Sequence, residues 1–84
     1  MPRYRIQLTS KALKQLEALP IGSQDLVRSK IDRLADNLAG DVKRLKSFSP
    51  AYRMRAGDFR ILFDLEGDQI VIRIVGNRRD VYDR

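Results

Sequence analysis

The sequence has 84 residues, with 17 Lys or Arg against 11 Asp or Glu, so its formal net charge is +6 at pH 7. It contains no Cys and no His, which excludes disulfides, thiol catalysis and an imidazole proton carrier. A chain this short has room for one core and no apolar run approaches the roughly 18 residues of a membrane span, so we expect a single cytoplasmic domain over residues 1–84, with no metal or cofactor.

The chain begins with the pattern of a half-buried strand. Residues 3–8 alternate polar side chains with Tyr4, Ile6 and Leu8. Thr9 or Ser10 can then cap a first helix that ends at Pro20. In this helix, three leucines are expected to share one face: Leu13, Leu16 and Leu19.

A second, longer helix is predicted from Ser23 to Ala39, with Gly40 placed to adopt the left-handed conformation just past its end. Its apolar stripe consists of Val27, Ile31, Leu34 and Leu38. The outward charges of this helix balance, since its outward positions carry three basic and three acidic residues. A helix that reads DNA would carry a basic excess, so this pattern favours a solvated surface.

The second half of the chain predicts an antiparallel sheet. Residues 42–48 are either a short edge strand or a basic loop. Three strands follow, at 51–56, 59–66 and 69–76, joined by the tight hairpin turns Gly57-Asp58 and Gly67-Asp68. The predicted fold is therefore α+β in the order β-α-α-β-β-β, with a mainly antiparallel, twisted sheet and both helices packed on one of its faces.

Tight turns fix which residues share a face of this sheet. The predicted opposed pairs include Arg55–Arg60, Leu62–Arg73 and Arg60–Val75. One face is then wholly apolar: Tyr52, Met54, Ala56, Phe59, Ile61, Phe63, Leu65, Ile70, Ile72 and Ile74. The other face, called the basic face, carries Arg53, Arg55, Arg60 and Arg73, with Leu62, Asp64, Val71 and Val75 between them.

Directly opposed arginines destabilise a sheet, so a bound anion is the natural missing partner of the basic face. Neutralisation by Asp64, Glu66 or the acidic side chains of a partner protein is the alternative. Asn77 would continue the basic face, whereas strict alternation would turn Arg78 toward the apolar core. We therefore predict a bend or bulge at Gly76 that re-aims Arg78.

Two stretches resemble the RelE/ParE superfamily of bacterial toxins: "YRMRAGDFRILF" at 52–63 and "GNRRDVY" at 76–82. The predicted order of strands and helices is also similar to that superfamily. The resemblance to RelE-type members implies a ribosome-dependent endoribonuclease that cleaves mRNA in the A site by attack of a ribose 2′-OH on the phosphate. The ParE branch instead implies a DNA gyrase inhibitor, and an RNA-binding module without cleavage is a third reading.

By position, the resemblance assigns catalytic roles to Arg60, Arg78 and Tyr82. RNA contacts are expected from the basic face and its neighbours, namely Arg53, Arg55, Arg73, Lys43, Lys46 and Asn77. Many relatives have His at the position of Asn77, so a mechanism that uses that His is closed to this chain. The resemblance further implies a cognate antitoxin with an acidic inhibitory arm, in a toxin–antitoxin hetero-oligomer, besides the ribosome and mRNA.

Without His, Tyr82 is the best candidate for the base, because neighbouring guanidiniums favour its phenolate. Arg60 and Arg78 would act as electrostatic clamps on the phosphate, while the ribosome supplies positioning. Arg79 and Asp80 are expected to form a surface pair, and Asp58 to serve only the turn.

Overall fold

The computed structural model describes residues 3–46 and 49–80. Two helices and five strands follow one another as β1 (Arg5–Leu8), α1 (Ser10–Glu17), α2 (Ile21–Leu34), β2 (Asp41–Arg44), β3 (Tyr52–Ala56), β4 (Phe59–Glu66) and β5 (Gln69–Asn77). The strands form one sheet in the order β1-β5-β4-β3-β2, in which β1 runs parallel to β5 and the other pairs are antiparallel. The predicted α+β order is confirmed, and residues 41–44 are an edge strand.

Helix α1 begins where the sequence predicts, but it buries a different stripe. Thr9 caps it, since the Thr9 hydroxyl accepts a hydrogen bond of 3.1 Å from the Ala12 N–H. Ala12 and Leu16 are fully buried against the sheet, one turn apart, whereas Leu13 is 41% exposed. The expectation that Leu13 shares the inner face is therefore wrong. Ala12 and Leu16, four residues apart, form the contact of the helix with the sheet, and the small Ala12 allows the helix to lie close to it.

Helix α2 ends at Leu34, well before the predicted Ala39. The chain leaves the helix to pair with the N-terminal segment: the Ala35 carbonyl accepts a 2.8 Å hydrogen bond from the Tyr4 N–H, and Arg3 and Asp36 form a bridge. Gly40 has a positive φ of 129°, but it does not end the helix: Asn37 and Leu38, with φ angles of 58° and 60°, take the left-handed conformation closer to the helix end. Tertiary pairing thus overrides the apolar periodicity that continues to Leu38.

The two hairpin turns are as predicted. Ala56 faces Phe59 across the first turn, and Glu66 faces Gln69 across the second. Gly57 and Gly67 have φ angles of 61° and 62°, the positive values for which a two-residue connection needs Gly. Arg55 is directly opposite Arg60, which confirms that two cations oppose each other across β3 and β4.

The pairing of β4 with β5 contains a bulge at Arg73. Ile72 faces Phe63 and Ile74 faces Leu62, so Arg73 has no directly opposed residue. The predicted pairs Leu62–Arg73 and Arg60–Val75 are therefore wrong, and Arg60 faces Gly76 instead. The break predicted at Gly76 occurs three positions earlier in the strand, at a residue whose side chain bonds to two acids on β4.

The bulge exchanges two residues between the faces of the sheet. Val75 belongs to the main core between sheet and helices, which was predicted to contain Ile74. Ile74 packs with Leu62 and Leu45 in a small apolar cluster on the opposite side. The largest fully buried side chains of the structure include Phe63, Leu16, Leu34, Met54 and Ile61. Within the described ranges, no helix is long and apolar enough to cross a membrane.

Candidate nucleic-acid interface

The sheet face turned away from the helices, called the outer face, carries the predicted cations in two neighbouring rows. Strand pairing places Asp41, Arg55, Arg60 and Gly76 in one row across β2 to β5. The next row consists of Lys43, Arg53, Leu62 and Ile74. Four of the predicted site residues therefore lie at one corner of the sheet, and Asp41 is the one acid in these two rows.

Arg53 and Arg55 differ sharply in exposure. The Arg53 residue is only 6% exposed, and its Nη1 is buried without a hydrogen-bond acceptor among the described residues. The Arg55 side chain is 55% exposed. The Asp41 carboxylate lies between them, with Oδ1 at 3.7 Å from Arg53 Nη1 and Oδ2 at 3.8 Å from Arg55 Nη1. Arg55 is thus exposed to solvent, whereas Arg53 is buried with its Nη1 beside the Asp41 carboxylate.

Arg60 is held in place by the turn that precedes β4. Its Nη1 donates hydrogen bonds to the carbonyl oxygens of Gly57 and Phe59, at 3.0 and 2.9 Å. None of the ion pairs among the described residues involves Arg60. Its guanidinium is therefore fixed by neutral acceptors and keeps its full charge beside Arg55, which suits a clamp for an anion.

The same turn holds the segment that follows β5. The Arg78 N–H donates a 2.9 Å hydrogen bond to the Asp58 carbonyl, and Phe59 faces Asn77 at the end of the β4–β5 pairing. Because Arg60 and Arg78 are both tied to residues 57–59, the two predicted catalytic arginines lie at the same end of the molecule.

Asn77 shapes the turn in which Arg78 lies. Its Oδ1 accepts a 3.1 Å hydrogen bond from the Arg79 N–H, and its carbonyl accepts one of 2.9 Å from the Asp80 N–H. This side-chain-to-backbone closure is typical of Asn at turns. Since the bulge reverses the alternation, Asn77 shares a face with Phe59, and its predicted place on the basic face is wrong. An RNA contact by Asn77 stays a prediction.

An open cleft of about 410 Å³ lies at this end of the molecule. It is lined by Asp58, Asn77, Arg78, Arg79 and Asp80. Three of these, Asp58, Arg79 and Asp80, were assigned from the sequence to a turn and a surface pair. These residues converge because the β4–β5 register brings the 57–58 turn against residues 77–80. The pairing of Phe59 with Asn77 is the feature that places them together, and the sequence predicts a different register.

Arg73 is engaged by two carboxylates. Its Nε is 2.7 Å from Asp64 Oδ2, and its Nη2 is 2.7 Å from Glu66 Oε2. The hydrogen bond to Asp64, together with the charges of both acids, raises the pKa of Arg73 above its ordinary value against a smaller opposing effect of burial. Neutralisation within the protein, the alternative considered for the basic face, therefore applies at Arg73.

The remaining predicted residues are less constrained. Lys43 is exposed on β2 opposite Arg53, and Lys46 is exposed in the turn after this strand. Tyr82 lies outside the described residues. In the described part of the chain, no three acidic side chains converge as a metal site would require.

Comparison with known proteins gives a consistent set of relatives. A family model described as the ParE toxin of type II toxin–antitoxin systems, parDE, matches residues 6–82. Toxin RelE3 of Methanocaldococcus jannaschii is 38% identical over 48 residues, which span 57% of this chain and 54% of that protein. The putative toxin RelE1 of the same organism is 29% identical over 86 residues, 95% of this chain and 96% of the relative.

A solved structure agrees with these matches. The crystal structure of a RelB-RelE antitoxin-toxin complex from Methanococcus jannaschii contains a chain that superposes with a TM-score of 0.75 and 27% identity. The match covers 92% of this chain and 95% of that one. The family model and the solved structure thus both describe toxins, and the solved chain shares the fold of this one.

Proposed function

The chain belongs to the RelE/ParE superfamily, the toxins of type II toxin–antitoxin systems, and from this premise we propose that it is a ribosome-dependent endoribonuclease that cleaves mRNA in the A site. The observation that carries the proposal is the opposed pair Arg55–Arg60, with Arg78 tied to the same turn as Arg60. Cations collected in this way destabilise the free protein and are stabilised by a bound polyanion.

The proposed reaction is attack of a ribose 2′-OH on the adjacent phosphate. The bond from O2′ to phosphorus forms and the bond from phosphorus to O5′ breaks, which leaves a 2′,3′-cyclic phosphate and a free 5′-OH. A base takes the proton of the 2′-OH, and the leaving 5′ oxygen takes a proton from water. The pentacoordinate intermediate carries extra negative charge on its oxygens. Arg60 and Arg78 are the proposed clamps for these oxygens, since guanidiniums match phosphate geometry and stay protonated.

The fixed position of Arg60 supports this role. Two carbonyl acceptors hold its Nη1, so the orientation of the guanidinium is set before substrate binds. Preorganised charge is the form of electrostatic stabilisation that enzymes use most effectively. Tyr82 is proposed as the base from the family resemblance, and the ribosome is proposed to position the message, so free RNA is expected to be cleaved negligibly.

The test is toeprinting of mRNA on translating ribosomes with the wild-type chain and Arg78→Ala. Loss of one cationic donor to the transition state is expected to slow cleavage by about 10²-fold or more. Arg5→Ala is the matched control, because Arg5 is an exposed arginine that pairs with Asp68 at the far end of the sheet. Cleavage by Arg78→Ala at the rate of the Arg5→Ala control would remove Arg78 from the mechanism.

A second candidate function is inhibition of DNA gyrase without chemistry, which the ParE description of the matching family model favours. The two functions separate in one cell extract. An endoribonuclease leaves cut messages on ribosomes that disappear with Arg78→Ala. A gyrase inhibitor leaves the messages intact and accumulates stalled gyrase–DNA complexes.

A cognate antitoxin is the proposed partner. The structural relative was solved as an antitoxin–toxin complex, and the net charge of +6 favours an acidic inhibitory arm. We expect this arm to cover the corner that contains Arg55 and Arg60. If so, the antitoxin protects these side chains from arginine-directed modification, whereas an arm that binds elsewhere leaves them reactive.

A further inference from the structure

The carboxylate of Asp41 lies where two arginines of the outer face converge. We propose that Asp41 competes with RNA for Arg53 and Arg55. Its carboxylate occupies the position of a phosphate beside these two arginines, and it lowers the affinity of this corner for RNA because a phosphate must displace it. The inference rests on the proposed function for the identity of the ligand as RNA. It assigns Asp41 a role in setting affinity that the family resemblance does not contain.

The distances distinguish Asp41 from a structural acid. Asp41 is 3.7 Å from Arg53 Nη1 and 3.8 Å from Arg55 Nη1, beyond the range of a hydrogen bond between charged groups. On the same face, Arg73 bonds to its two acids at 2.7 Å each. Asp41 is therefore attracted to its arginines by charge without forming the directional bonds that fix Arg73.

The buried end of Arg53 supports a site that is incomplete. Its Nη1 lacks an acceptor among the described residues although the side chain is only 7% exposed, and a buried donor without an acceptor is unfavourable. This nitrogen lies beside Asp41. A phosphate diester has two non-bridging oxygens, so a phosphate in the place of the carboxylate can accept hydrogen bonds from both arginines.

Asp41 is also able to leave. Its side chain is 58% exposed, and it is the first residue of the edge strand β2, so rotation of a short side chain into solvent disturbs no core contact. Displacement exchanges a weak ion pair in water for contacts between phosphate and guanidinium. The free energy of this displacement is subtracted from the binding free energy of any ligand that places a phosphate beside these arginines.

The test compares Asp41→Asn with Asp68→Asn. Each substitution removes one exposed carboxylate that lies near an arginine and raises the net charge by the same amount, but Asp68 lies in the turn between β4 and β5, beside Arg5. Binding of a labelled, short single-stranded RNA to the purified chain is measured by fluorescence anisotropy at low ionic strength. We expect Asp41→Asn to bind about threefold more tightly than Asp68→Asn.

Each other outcome overturns the inference. Equal binding by the two variants means that only net charge matters, and weaker binding by Asp41→Asn means that the acid positions the arginines. Absence of binding by the wild type and both variants means that the corner is not a phosphate site. Asp41→Ser is measured in parallel, so the comparison does not depend on one variant, and thermal unfolding identifies any variant that is not folded.

Toeprinting of the same proteins separates this inference from the proposed function. Tighter RNA binding by Asp41→Asn, without message cleavage by the wild type on ribosomes, supports the role of Asp41 and refutes the endoribonuclease. Cleavage by the wild type, with equal binding by Asp41→Asn and Asp68→Asn, supports the endoribonuclease and refutes the role of Asp41.

Discussion

Arg73→Ala is expected to destabilise the fold while leaving RNA binding largely intact. The Arg73–Asp64 contact is a charged hydrogen bond of 2.7 Å, and the Asp64 side chain is only 26% exposed. We assign this contact a contribution of about 1–2 kcal/mol to the free energy of unfolding. The contact with Glu66 is equally short, but Glu66 is 56% exposed, so solvent reduces it to about 0.3 kcal/mol. Together the two contacts predict a loss of about 2 kcal/mol.

This loss is large for a chain of 84 residues, whose total stability is expected to be about 4–13 kcal/mol. Urea unfolding followed by circular dichroism measures it as a shift of the midpoint at constant slope. Arg5→Ala is the matched control: its contact with Asp68 is 3.4 Å long between side chains that are 71% and 66% exposed, so its loss is expected to stay below about 0.5 kcal/mol.

An Arg73→Ala variant as stable as Arg5→Ala would show that the two short ion pairs do not hold the bulge. The stability contributed by Arg73 should also persist through neutral and alkaline pH, because the pKa of Arg73 is raised, so this stability is fully present below the ordinary pKa of an arginine and is lost only above it. A loss of the difference between wild type and Arg73→Ala in the range from neutral pH to about pH 10 would refute that assignment.

The remaining predictions concern local stability. Gly57→Ala and Gly67→Ala should each destabilise by about 1 kcal/mol, because both glycines have positive φ angles (61° and 62°) that a Cβ disfavours, and the nearest atom to a Cβ at Gly57 is a terminal methyl of the 38% exposed Leu26, which can move aside; midpoints in urea equal to that of the wild type would contradict this. Gln15→Ala should cost about 1 kcal/mol and accelerate amide exchange at Val75, since Gln15 Oε1 accepts a 2.9 Å hydrogen bond from the Val75 N–H; unchanged exchange at Val75 would show that the bond is dispensable.

Local chemistry explains which parts of the fold could be predicted. Gly57 and Gly67 mark turns whose geometry few other residues adopt, so the sequence determined the register of β3 with β4 and of the first β4–β5 pairs. The end of α2 depends instead on Tyr4, which is distant in sequence and binds the Ala35 carbonyl. Periodicity reports which side chains are apolar, and it contains no information about such a partner.

The bulge at Arg73 was beyond prediction for a related reason. The pattern of apolar and polar residues in β5 is equally compatible with a bulge at Arg73 and with one at Gly76, because Ile74 and Val75 are both apolar and either can enter the core. Bonds of Arg73 to Asp64 and Glu66 stabilise the observed choice. The bulge also affects the candidate site, because the shift in register turns Asn77 to the face of Phe59 and away from the cationic rows.

The outer face is divided into two parts by how its arginines are satisfied. Arg73 has short bonds to two acids, as expected of a residue that stabilises the fold. Arg55 and Arg60 oppose each other, and the acid nearest to Arg55 stays at 3.8 Å. A face selected for stability alone would satisfy both parts alike, because exposed acids are easily placed beside arginines. The unsatisfied part is therefore best explained by a ligand, and the same reasoning makes Arg55 and Arg60 better candidates than Arg73 for RNA contact.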